Sequence, residues 1–119
     1  MGPPRHLDLL PPLAAERVAW PVPFADGLDL LDGLRGRQVA VLASGDPFWF
    51  GAGSVIARRL APGEWRALPG VSCFALAAAQ LGWALERTVC LVLHAAPMTL
   101  LRPHLARGRR LIVTLRDGD

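Results

Sequence analysis

A chain of 119 residues with 52% hydrophobic content can bury the core of one domain or of a piece of one, and it is too short for a multidomain assembly. All thirteen of its basic residues are Arg, and against ten acids they leave a net charge of +3 and a pI of about 10.1, which suits an anionic partner. The arginines are dispersed, the two cysteines match no zinc or redox spacing, and no run approaches membrane length or resembles an export leader. A soluble, reduced, cytoplasmic setting follows, with no membrane and no nucleic-acid partner expected.

The opening through Pro23 is rich in Pro and short on periodicity, and reads as connections with "RVAW" as a short strand. From Phe24, "FADGLDLLDGLRG" predicts a surface helix with Phe24, Leu28, Leu31 and Leu34 inward, Asp26, Asp29 and Asp32 outward, and Gly36 as its stop. "QVAVLAS" is a nearly unbroken apolar run, the pattern of a parallel strand covered on both faces. "FGAGSVIARRL" predicts a helix with Arg58 and Arg59 near its C-terminal end, where cations suit the dipole, and "EWRAL" a strand closed by Pro-Gly. "SCFALAAAQLG" predicts a helix capped by Ser72 and stopped by Gly82. "TVCLVLH" and "RRLIVTL" are two buried strands flanking a short helical piece limited by Pro103, and "RGRR", Arg107 to Arg110, reads as a solvated loop entering the second. The alternation gives an α/β class: a mostly parallel sheet flanked by helices.

Two corners carry the chemistry. Ligands in open parallel sheets sit outside the carboxyl ends of strands, and Ser44, Gly45 and Asp46 follow such an end. Gly45 permits a sharp turn and close approach of backbone to a ligand, and Asp46 can accept hydrogen bonds from an amine or a ribose. The plainer role of Asp46 before Pro47 is a helix cap, and Phe48, Trp49 and Phe50 are first of all candidates for a core, although three adjacent rings cannot all face inward. "PGVSC" forms a second corner whose plainer reading is Ser72 as cap. Two such corners after neighbouring strands would form one cleft, with His94 at its rim. His6 and His104 lack metal-ligand spacing, Ser44 is not in a Gly-x-Ser-x-Gly elbow, and "GAG" is too short for a nucleotide fingerprint. No metal site and no catalytic side chain is singled out.

Taken in order, "GPPRHL", "VLASGDPFWFGAGSVIARRL", "ALPGVSCFALAAAQLGWALERTVCLVLH" and "LRPHLARGRRLIVTLRDGD" resemble the tetrapyrrole methylase family over nearly the whole chain. Within it, "RHL" and "RPHL" point to the branch that methylates a corrin precursor of the precorrin-6Y type in cobalamin biosynthesis. The resemblance implies a two-lobed α/β fold, usually a homodimer, that binds S-adenosyl-L-methionine in a cleft. On matching positions, Ser44, Gly45 and Asp46 would contact that cofactor, Trp49 would line its pocket, and Ser72 with Cys73 would border it. The polycarboxylate macrocycle would give the arginine excess a role, because guanidinium forks bind carboxylates bidentately.

The family pattern begins with a strand and a Gly-rich loop, so residues 1–119 are expected to hold a partial methylase domain, with the second lobe starting at about 109–119 and methylation lost in the isolated piece. Decarboxylation is expected from a separate domain or partner. Competing readings are methylation of uroporphyrinogen or ribosomal RNA, a non-catalytic subunit that needs a partner, and, last, a phosphate-binding hydrolase.

Overall fold

In the computed structural model, residues 1–94 and 96–116 are described, and they fall into two compact units, Met1–Gly70 and the described residues from Val71 onward. The first unit contains three short helices, α1 (Pro4–Leu7), α2 (Phe24–Asp32) and α3 (Gly53–Ala57). The second contains α4 (Cys73–Leu81), strands β1 (Thr88–Val92) and β2 (Arg110–Thr114), and 3-10 turns at Leu85–Arg87 and Met98–His104.

The second unit bears out the expected class. β1 and β2 pair in parallel, Thr88 opposite Arg110 through Val92 opposite Thr114, and the ladder continues as Leu93 N–H donates to Thr114. A parallel pair needs a long crossover, supplied here by the chain from Leu93 through the Met98–His104 turn to Gly108. α4 is bounded where its residue types predict: the Ser72 hydroxyl accepts from Ala75 N–H at 3.1 Å, and Gly82 closes the helix at φ +63°. Phe74 and Ala78, one turn apart, and Leu93 beyond β1 form the buried core of this unit. Ser72→Ala should therefore cost about 1 kcal/mol, the usual worth of such a cap. A urea midpoint unchanged by Ser72→Ala, followed by circular dichroism, would show the cap to be energetically idle.

The first unit departs further from expectation. Its opening is core as well as connection: Met1, Gly2 and Leu7 are buried, and Met1–Gly2 runs between two extended segments. Gly2 N–H donates to Val18, and Trp20 N–H donates to Gly2, so "RVAW" contributes a single parallel bridge, Gly2 with Ala19. On the other side the Met1 ammonium donates to Ala40 at 2.8 Å, and Leu42 N–H donates to the Met1 carbonyl. Partial burial lowers the pKa of that amino group.

"QVAVLAS" is thus extended but hydrogen-bonded on one edge alone: Val39, Val41 and Ala43 form no backbone bonds among the described residues. "EWRAL" is likewise extended from Trp65 and forms no ladder bonds among the described residues, while Glu64 N–H closes a turn on the Ala61 carbonyl. Both segments border an open groove of about 970 Å³, which is why their side chains are at most half-buried.

α2 keeps Leu31 buried and Leu28 and Leu34 half-buried, but Phe24 is exposed and stacks on Trp20 at 4.9 Å. Regular helix ends at Asp32 and continues as looser turns to Gly36, at φ +85°. Asp29 and Asp32 face outward and pair with Arg59, so Arg59 neutralises α2 rather than only complementing its own helix end. α3 is five residues long because the chain from Pro47 to Gly53 first folds back on itself.

Candidate functional site

The first corner follows the extended segment 39–43. Gly45 has φ +60°, the left-handed region that a side chain makes costly by about 1–2 kcal/mol. A Cβ on Gly70 would stand 2.5 Å from the Gly45 carbonyl oxygen, so "SGD" and "PG" meet backbone to backbone. Both turns lie in the first unit, and this contact holds Gly45 and Gly70 against each other.

Asp46 is half-buried and does not cap a helix. Its Oδ1 accepts from Phe48 N–H at 2.8 Å, a turn closed by the side chain, while Oδ2 has no partner among the described residues. Ser44 Oγ accepts from the Arg5 guanidinium at 3.4 Å. From Pro47 the chain curls tightly: Gly53 N–H donates to the Pro47 carbonyl at 2.9 Å, and a Cβ on Gly51 or Gly53 would come within 2.6 or 2.7 Å of the same oxygen. Only glycine fits at either place.

That curl turns the three aromatics outward. Phe48 stacks on Trp65 at 5.4 Å, Trp49 meets Phe50 edge to face at 5.7 Å, and all four rings are exposed. Phe50 has φ +56°, a conformation disfavoured for any residue with a Cβ. The groove reaches this corner: Gly45, Pro47 and Phe48 line it, with Leu42, Ile56 and Trp65 further along.

The unit boundary divides the second corner: Pro69 and Gly70 belong to the first unit, and Val71, Ser72 and Cys73 to the other. Ser72 is the helix cap of α4, and Cys73, its first residue, is exposed. Cys90, half-buried in β1, has its thiol pKa pushed up by burial and, secondarily, by Cys73. His94 lies in the turn after β1, where its carbonyl accepts from Arg116 Nε at 3.1 Å. The Nδ1 atoms of His6 and His104 are buried without a partner among the described residues, and those residues hold no group of three metal-ligating side chains.

Ser44, Gly45, Asp46 and Trp49 are therefore brought together at one loop, whereas Ser72 and Cys73 form a helix start in the second unit. Sequence reasoning missed Arg5, Gly70 and Trp65 as neighbours of the first corner. Only the Pro-Gly pair before Val71 signals one of them, as a turn where a backbone can pass closely.

Residues 31–118 match the family model of Tetrapyrrole (Corrin/Porphyrin) Methylases. The chain is 44% identical over 96% of its length to a Precorrin-6Y C(5,15)-methyltransferase [decarboxylating] from Sinorhizobium sp, of which it covers 28%. It is 38% identical over 99% of its length to the protein of the same name from Mycobacterium tuberculosis, covering 29% of it. It is 31% identical over 68% of its length to a Cobalt-precorrin-7 C(5)-methyltransferase from Salmonella typhimurium, covering 40% of that protein. No solved structure matches the chain. The chain spans less than a third of the length of the first two relatives. No helix among the described residues is long and apolar enough to cross a membrane. With the family model covering most of the sequence, the chain belongs to the tetrapyrrole (corrin/porphyrin) methylases.

Proposed function

We propose that this chain carries part of the S-adenosyl-L-methionine site of an enzyme that methylates a carbon of a corrin precursor of the precorrin-6Y type in cobalamin biosynthesis. The observation that carries the reading is the backbone-to-backbone meeting of Gly45 and Gly70, a close approach that a single Cβ would prevent. Side-chain-free backbone at such a place allows a small ligand to lie against peptide groups. The names of the relatives, precorrin methyltransferases, support the substrate class.

When bound, the cofactor supplies a methyl group from its sulfonium sulfur to a nucleophilic ring carbon. The chain's own part is alignment and exclusion of water, the two contributions that a displacement of this kind draws on. Gly45 and Gly70 hold the two turns together and leave their backbone free of side chains toward the ligand. Asp46, held by Phe48 N–H through Oδ1, presents Oδ2 to an amine or a ribose hydroxyl. Ser44 is steadied by Arg5, and Trp49 offers an apolar face beside the corner. Ser72 and Cys73, at the start of α4, are proposed as cofactor contacts in their own right. The family resemblance further supports a homodimeric enzyme, a second lobe beginning at about 109–119, of which residues 117–119 lie outside the described residues, and decarboxylation by a separate domain or partner.

Calorimetric titration with S-adenosyl-L-homocysteine tests the site, once circular dichroism shows the chain folded. Binding that weakens about tenfold in Asp46→Ala is expected, the loss of one charge-assisted hydrogen bond. Equal affinity in the variant would remove Asp46 from the site. A folded chain that takes up no ligand would favour a non-catalytic subunit needing a partner, a reading that the unpaired edge at Val39, Val41 and Ala43 also supports.

A further inference from the structure

The positive charge of the chain is not spread evenly. Residues 1–70 hold equal numbers of arginines and acids, and every ion pair among the described residues lies there. From Val71 to Arg116 the charged side chains are Arg87, Arg102, Arg107, Arg109, Arg110 and Arg116 against one acid, Glu86. The net charge of the described molecule therefore resides in its second unit.

The parallel register gathers much of that charge at one end of the sheet. Thr88 is opposite Arg110, so Arg87 and Arg109, each one residue earlier, enter neighbouring strands side by side. Adjacent strands are about 4.8 Å apart, well inside the ~8–10 Å over which salt screens a charge. Arg107 stands in the turn just before, where Arg109 N–H donates to Ala106 at 3.1 Å and Gly108 takes φ +81°. Arg87, Arg107 and Arg109 are exposed, and their guanidiniums have no partner among the described residues. Arg110 lies over the Trp83 ring at 5.3 Å. These cations stand at the starts of both strands, the end opposite to the one where parallel sheets place their substrates.

We propose that this end of the sheet is a docking surface for a short acidic segment of protein. Clustered guanidiniums without partners repel one another, and carboxylates relieve that repulsion with bidentate geometry. A single-stranded nucleic acid asks for something else: a long basic stripe with aromatic rings free for base stacking. Here the patch is two strands wide, and the face of its one aromatic, Trp83, is occupied by Arg110. The surface goes beyond the methylation reading and does not depend on it.

Fluorescence anisotropy of labelled octaglutamate against the full chain tests this, with a thymidine oligonucleotide of equal charge as the comparison probe. Binding of octaglutamate is expected to weaken about tenfold in Arg107→Ala/Arg109→Ala and to fall with added salt. It should be unchanged in Arg58→Ala/Arg66→Ala, which removes equal charge from the first unit. Arg87→Ala, on the neighbouring strand entry, is the second variant should the double change disturb folding, and it should weaken binding in the same direction. Absence of binding, equal loss in both double variants, or tighter binding of the oligonucleotide would each overturn the proposal.

Discussion

Gly70→Val should both destabilise the first unit and lower its affinity for S-adenosyl-L-homocysteine by at least about tenfold. Even the Cβ of alanine would stand 2.5 Å from the Gly45 carbonyl oxygen, and the obstacle is backbone, which cannot swing aside as the tip of a long side chain can. The two turns must then separate, breaking the contact proposed to cradle the ligand. Overpacking of this kind costs about 1–3 kcal/mol, more for a branched residue. Gly33→Ala is the matched control, because its Cβ would meet only the Leu30 carbonyl at 3.4 Å and the Asp29 carbonyl at 3.8 Å. Thermal melting reads the steric effect and titration reads the ligand effect. A variant that melts earlier yet binds as before would keep the packing and reject the cradle, whereas unchanged melting would reject the close approach itself.

What was legible in the sequence was mostly what is local. Ser72 and Gly82 bound α4 because a hydroxyl cap and a left-handed glycine act within a few residues of where they stand. "TVCLVLH" and "RRLIVTL" became strands because each had the other to pair with. "QVAVLAS" has the same composition, but a strand is a statement about neighbours, and here one edge is taken by Met1 while the other borders the groove. Nothing in the local pattern announces that Met1 and Gly2 would sit between two distant segments. The corner was readable as a turn from Gly-Asp-Pro, but the helix cap expected of Asp46 does not form. Its carboxylate closes a turn on Phe48, since the helix starts at Gly53. The aromatic run left open which way each ring faces, and the tight curl at Pro47 decides it by turning all three outward. Gly70 matters through a contact with a residue far away in sequence, which no window of residues contains.

Phe74→Ala is the change expected to cost the most stability, about 3–5 kcal/mol. Phe74 is only 2% exposed, and it shares one face of α4 with Ala78, which is too small to close the space a missing ring would leave. The unit it anchors has few alternatives: two five-residue strands and one nine-residue helix, with Leu93 the other large buried side chain among its described residues. A paired strand of that length has little stability unless a helix covers it, so the loss at Phe74 should reach β1 and β2 as well as α4. Small domains are stable by only about 5–15 kcal/mol in total, so a deficit of this size can remove cooperative unfolding of the second unit altogether. Leu76→Ala, on the same helix with Leu76 61% exposed, should shift the urea midpoint little. Hydrogen exchange at Val89 to Leu91 follows the ladder of the second unit. Loss of protection there in Phe74→Ala, with Leu76→Ala unaffected, is the expected pattern; equal effects of the two substitutions would mean that α4 does not pack through the Phe74 face.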